Sequence, residues 1–289
     1  MRARRCVPPL RTLLPALLRL IASVIWSGSA ALIALIAPVS ALASDSVYLE
    51  DLSWTELRQT IASGKTTILI PVGGVEQSGP HMALGKHNVR AHVLAGRIAT
   101  KLGNAMVAPV LAYVPEGNID KPAGHMRFAG TISVSDAAFK GILEGAARSL
   151  KQHGFVNVVL MGDHGGYQTQ LAAVAATLNH AWAGTPARAW FIEDYYRAAS
   201  SGFAQVLRGK GYTDAQIGTH AGLADTALML AIDPSLVRSG QLNHPIADKN
   251  ASGVSGDPQF ATAILGQSGV ELIVASTVSA IRAAIGARH

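Results

Sequence analysis

Two short runs constrain this chain more than any other feature: Thr67-Ile68-Leu69-Ile70-Pro71-Val72 and Phe155-Val156-Asn157-Val158-Val159-Leu160-Met161. Both are β-rich and almost continuously apolar, so each reads as a strand buried on both faces. Such strands belong to parallel sheets, whose crossover connections are helices that cover the two faces. The rest of the pattern agrees. Residues 187–192 form a third strand candidate and 105–110 a weaker fourth. Between them run helical patterns at 88–102, 135–153, 168–183 and 224–231, several opened by a capping residue and closed by glycine. The expected fold is α/β, a three-layer α/β/α domain with a mostly parallel central sheet.

That domain is expected to occupy residues 44–289, with residues 1–43 set apart as a signal peptide. Arg2, Arg4, Arg5 and Arg11 make a positive start, an apolar stretch follows Arg19, and Ala41-Leu42-Ala43 is a small-x-small cleavage pattern. Cleavage near Ala43 implies a periplasmic or secreted protein. The alternative is an uncleaved inner-membrane anchor, since the 24 uncharged residues after Arg19 exceed the roughly 20 needed to span a bilayer. The leader holds five arginines and no acid, so without it the formal charge falls from +6 to +1. Nucleic acid is therefore not an expected partner, and any membrane contact runs through the leader. The only cysteine, Cys6, leaves with it. Disulfides, thiolate catalysis and cysteine-bound metals are excluded for the remainder.

In a parallel sheet, sites form where loops leave the carboxyl ends of strands. The stretch Val75-Glu76-Gln77-Ser78-Gly79-Pro80-His81 and the following Leu84-Gly85-Lys86-His87-Asn88 leave one such end. Gly162-Asp163-His164-Gly165-Gly166 leaves another, and Gly218-Thr219-His220-Ala221-Gly222 precedes a helix carrying Asp225. Each loop is either a polar connection that contains histidines or part of a site. Imidazole and carboxylate together, without thiolate, suit a borderline divalent ion such as zinc or manganese.

These motifs resemble those of the creatininase (creatinine amidohydrolase) family across nearly all of residues 44–289. Pro71-Val72-Gly73-Gly74-Val75-Glu76-Gln77 with Gly79-Pro80-His81 is similar to the family's opening motif. His125-x-x-Phe128-x-Gly130-Thr131-Ile132-Ser133 is similar to its central loop, and Gly162–Gly166 to its Gly-His-Gly loop. His220-Ala221-Gly222-x-x-Asp225-Thr226 and Gly253-Val254-x-Gly256-Asp257-Pro258 match two later motifs. The resemblance implies a metal-dependent hydrolase acting on a non-peptide C–N bond, or on a related cyclic carbonyl compound, through a metal-activated water. It also implies a small-molecule substrate and a homo-oligomer, a hexamer in the family.

The departures bear on the metal. Ser78 stands where the family has a ligand histidine, and His87 where it has the aspartate that bridges two ions. Asp225 stands in place of a glutamate. An imidazole does not offer two oxygens to two cations. The expected centre is therefore one zinc or manganese ion per chain, held by Glu76, His87 and His164. Asp225 would be a fourth ligand or the base, and His220 a proton-carrying group or a loop contact. His81 reads as structural. The other function class is a family member without catalysis, which binds a small polar ligand in the periplasm.

Overall fold

The computed structural model describes residues 46–242 and 249–287. The proposed leader at 1–43 lies outside the described residues. Apolar β-branched residues build a four-stranded parallel sheet of β1 (Thr67–Val72), β2 (Ala105–Val107), β3 (Asn157–Gly162) and β4 (Arg188–Phe191), in the order β2-β1-β3-β4. All four sequence candidates are strands: β1 covers its whole apolar run, β2 stops three residues short, β3 is shifted two residues later at its start and one at its end, and β4 loses one residue at each end. β1 and β3 are buried at every position, as their unbroken apolar runs demand.

Side-chain alternation divides the core. Ile68, Ile70, Val72, Val158 and Leu160 join one apolar cluster with Phe139 and Leu143 of helix α3 (Asp136–Gln152) and Leu171 and Val174 of α4 (Gln168–Ala181). Leu69, Val159 and Met161 point the other way. They meet Leu94 and Ile98 of α2 (Lys86–Leu102), Leu223 and Ala227 of α5 (Leu223–Ile232), and Val270 and Ile273 of α6 (Ala263–Gly286). The result is three layers, α/β/α. A further helix, α1 (Trp54–Ala62), opens on a Ser53–Glu56 capping box. Neither α1 nor α6 was among the helices expected from sequence.

Helix α6 is 24 residues long and apolar enough to cross a membrane by composition, yet it packs within the domain. A Cβ on Gly266 would lie 1.8 Å from the Ala227 carbonyl oxygen, so only glycine permits this approach of α6 to α5.

Register places the site. Val72 pairs with Gly162, so β1 and β3 end side by side, and the Asp163 N–H donates to the Val72 carbonyl at 3.0 Å. One correction matters here. Helix α2 starts at Lys86 with Gly85 as its cap residue, and not at Asn88. The Asn88 side chain instead accepts from the Gly74 N–H at 2.9 Å, tying the loop after β1 back onto the helix. Lys86, His87 and Arg90 therefore share the buried first turn of a helix.

Candidate metal centre

Four chain segments converge above the ends of β1 and β3: the 73–85 loop, the start of α2, the 163–167 turn and the 218–225 loop leading into α5. They line a cavity of about 520 Å³ whose floor includes Glu76, Lys86, His87, Arg90, Asp163, His164 and Asp225. The loops expected to meet do meet.

Asp163 anchors the floor. Its carboxylate accepts from Arg90 Nε at 2.8 and 3.1 Å and from the Tyr195 hydroxyl at 2.7 Å, and His87 Nδ1 lies 2.6 Å away. Burial alone would raise its pKa, but the charge of Arg90 and these hydrogen bonds hold it below the usual carboxylate range. Asp225 is held in the same way. Burial would raise it, yet Lys86 and Arg90 bring it well below the ordinary value. Its oxygens take Arg90 Nη1 at 2.9 Å, Lys86 Nζ at 3.1 Å and the Ala221 N–H at 2.9 Å. Two cations and a backbone N–H thus engage both oxygens, so Asp225 is a fixed negative charge in the floor and not the free base expected from sequence.

His87 sits differently from its expected place as a ligand. It is buried, and both ring nitrogens lie at hydrogen-bond distance from carboxylates: Nε2 at 2.7 Å from Glu76 Oε1 and Nδ1 at 2.6 Å from Asp163. The ring bridges two acids instead of presenting a free lone pair. The reason is the earlier helix start, which turns His87 into the floor.

Glu76 is left with one oxygen to use. Burial works against its ionisation, but the His87 hydrogen bond and the charges around it push its pKa far down. Oε1 faces His87 and, at 3.9 Å, Lys86. Oε2 is buried with no hydrogen-bond partner among the described residues, although His164 Nε2 stands 3.4 Å away and His125 Nε2 3.8 Å. One ligand atom from each of Glu76, His125 and His164 lies within 4.8 Å of the other two, a group that could hold a metal ion. Burial, with the neighbouring cations, lowers His164 to about 4, so its imidazole is neutral near pH 7, as a ligand requires. Gln77 Nε2 lies 2.9 Å from His125 Nδ1, and the other ring nitrogen, Nε2, is turned toward Glu76.

His220 stands above this group. Its Nε2 donates to the Gln77 carbonyl at 2.9 Å, and Nδ1 lies 3.7 Å from Glu76 Oε1. Burial first, then the charge of Lys86, lowers its pKa to about 4. The next residue, Ala221, has φ of 54°, the one non-glycine residue in the left-handed region among those described. Backbone strain of this kind gathers at functional loops. His81, buried at hydrogen-bond distance from the Thr226 hydroxyl (3.0 Å), is structural in position. Ser78 is buried with its hydroxyl unpartnered among the described residues.

Sequence reading did not single out His125, Lys86 or Arg90. His125 was visible inside a motif, without a role. Arg90 carried a signal in its spacing, three residues after His87 and four after Lys86, which places it beside both only once the helix start is known.

Comparison with known proteins gives a consistent answer. Residues 50–281 match the family model described as creatinine amidohydrolase. The chain is 30% identical over 210 residues to a creatinine amidohydrolase of Pseudomonas putida, covering 71% of this chain and 79% of that one. It is 28% identical over 221 residues to a mycofactocin precursor peptide peptidase of Mycolicibacterium smegmatis, covering 69% and 78%. Among solved structures, a crystal structure of creatinine amidohydrolase superposes with a TM-score of 0.66 at 26% identity, covering 83% of this chain and 98% of that one. A manganese creatininase gives 0.66 at 26% identity, covering 82% and 98%. A mutant creatininase of zinc–zinc type gives 0.65 at 26%, covering 83% and 98%.

Proposed function

This chain belongs to the creatininase family and is a hydrolase of that family, and we propose that it cleaves an amide C–N bond of a small molecule at one divalent ion held by Glu76, His125 and His164. The observation that carries the proposal is the buried, unpartnered Glu76 Oε2 faced by two imidazole Nε2 atoms. A carboxylate oxygen and two imidazole nitrogens fit zinc or manganese. Such an ion, when bound, supplies Lewis acidity toward a carbonyl oxygen and acidifies water.

The protein supplies the rest. The cavity walls hold the substrate carbonyl over Glu76, and the fixed charges of Lys86, Arg90, Asp163 and Asp225 keep the floor from relaxing around it. His220 is suited to carry the proton. With Nε2 committed to the Gln77 carbonyl, Nδ1 is free to take a proton from the attacking water and pass it to the departing nitrogen. Water and amide then become acid and amine. The similar proteins include both a creatinine amidohydrolase and a peptide peptidase, and an amide bond is what those two names share. Export is part of the proposal, with residues 1–43 removed, and N-terminal sequencing of the protein from its host tests it.

The decisive measurement is elemental analysis of untagged protein, expected to find about one zinc or manganese ion per chain. Glu76→Gln and His164→Ala should each lose most of it. A folded, metal-free wild type would overturn the hydrolytic centre and leave the cavity as a ligand-binding site.

A further inference from the structure

Glu116 has no role in anything described so far, yet its side chain is fully buried against the ring of His164. Its backbone is pinned: the Glu116 and Gly117 N–H groups both donate to Ser133 Oγ, at 3.0 and 3.1 Å, and the Ser133 hydroxyl donates to the Gly117 carbonyl. Two glycines make room for the side chain. A Cβ at Gly74, whose φ is 152°, would come within 2.8 Å of Glu116 Oε1. A Cβ at Gly166 would stand 3.1 Å from His164 Nδ1 and 3.7 Å from the Pro115 carbonyl oxygen, crowding the edge of the ring that Glu116 approaches.

The two ring nitrogens of His164 have different surroundings. Nε2 lies 3.4 Å from Glu76 Oε2, on the side of the candidate ion. Nδ1 accepts from the Gly166 N–H at 3.3 Å and lies 3.4 Å from Glu116 Oε2. A neutral imidazole carries one ring proton, and while Nδ1 accepts, that proton is on Nε2 and faces Glu76. An ion on Nε2 requires that nitrogen bare, so the proton must then sit on Nδ1. The Gly166 N–H is itself a donor and cannot receive it. Glu116 Oε2 can. Like Oε1, that oxygen is buried with no hydrogen-bond partner among the described residues, an unfavourable state for an acceptor unless a donor reaches it. Burial first, and then the charge of Glu76, push the Glu116 pKa up to about 9. A neutral carboxyl group still keeps an oxygen that accepts.

We propose that Glu116 is a positioning residue of the candidate metal centre: it accepts the Nδ1 proton of His164 when an ion is bound at Nε2, and so fixes the tautomer and the plane of that ring. This rests on the metal centre proposed above and names the group that holds one of its ligands. Glu116 is not itself a ligand, since it lies on the far side of the ring from the ion. The role needs an acceptor oxygen and not a charge, which selects the variants.

Glu116→Gln keeps a carbonyl oxygen at the same reach, and Glu116→Met fills the space without one. The apo proteins are titrated with Zn²⁺ by calorimetry, with apo thermal unfolding as the check on folding. The zinc-loaded proteins are then read by NMR of the histidine ring nitrogens. Wild type is expected to show a His164 Nδ1–H resonance protected from solvent exchange. Glu116→Met should lose that resonance to exchange and bind Zn²⁺ about 10–100-fold more weakly, the range typical of residues that orient a ligand. Glu116→Gln should keep the resonance and most of the affinity. A residue that only supports the fold would move the unfolding temperature and leave the ring signal in place. Equal Zn²⁺ affinity and an unchanged resonance in Glu116→Met would overturn the role while leaving the three-residue centre intact, and equal losses in Glu116→Gln and Glu116→Met would overturn it too. Should Glu116→Met not fold, the zinc-loaded wild type still decides, because a His164 proton on Nε2 refutes the proposal. A wild type that binds no Zn²⁺ overturns the centre itself and this role with it.

Discussion

Tyr195→Phe isolates one hydrogen bond in the floor of the site. Tyr195 is buried and its hydroxyl donates to Asp163 Oδ1 at 2.7 Å. The substitution keeps the ring and its packing in the cluster with Leu69 and Val159. It leaves Asp163 Oδ1 with only Arg90 Nε, at 3.1 Å. Hydrogen bonds to charged groups contribute roughly 1.5–3 kcal/mol, and a fully buried acceptor with no water to replace the donor belongs in the middle of that range or above. The expected loss is about 2 kcal/mol. For a domain of this size that is a fall in Tm of roughly 4–8 °C. Equilibrium urea unfolding should show a lower midpoint at unchanged slope, because the surface exposed on unfolding is the same. The pH dependence supplies a control. Tyr195 is one of the groups holding the Asp163 pKa down, and a carboxylate with a depressed folded pKa stabilises above its unfolded pKa and loses that stability as pH falls through the folded one. Removing the hydroxyl moves the acid loss to higher pH, and the gap between wild type and variant should close once Asp163 is protonated in both. A loss under about 0.5 kcal/mol at neutral pH would refute the reasoning, because it would mean that Asp163 is not a buried anion dependent on its donors.

Three other outcomes follow from the same geometry. His81 has its pKa lowered to about 4 from 6.5 by burial, so the unfolded chain takes up its proton first; stability present above pH 6.5 should fall as pH drops toward 4, and His81→Gln should flatten that slope in urea titrations. Gly266→Ala forces a methyl group onto the Ala227 carbonyl oxygen, which is backbone and cannot rotate away, so a loss of about 3 kcal/mol is expected by thermal unfolding. His125→Ala should strip the bound ion by elemental analysis, whereas His87→Gln, which keeps an acceptor and a donor between Glu76 and Asp163, should retain most of it at reduced stability; the reverse pattern would return His87 to the ligand set.

The layers of this protein are legible in its sequence because burial on both faces leaves a direct trace. A strand such as Thr67–Val72 has no solvent side, so no polar residue interrupts its core positions, and the parallel α/β arrangement follows. The glycine-flanked His164 at a strand end was legible for a related reason: the turn needs residues without Cβ, and those residues mark it. Helix α2 was legible in its body and not at its start. Gly85 caps it without a side-chain hydrogen bond, while Asn88, a good capping residue by type, is used elsewhere by Gly74. That two-residue difference moves His87 from the ligand position expected of it into the floor between Glu76 and Asp163. Which imidazole faces the free oxygen of Glu76 is likewise beyond any local pattern. His125 lies 49 positions along the chain from Glu76, and only the packing of the 114–133 segment over the ends of β1 and β3 brings the two together. Local periodicity determines which faces are buried; the partners of a buried charge are chosen by contacts between distant segments, and those exist only in the folded chain.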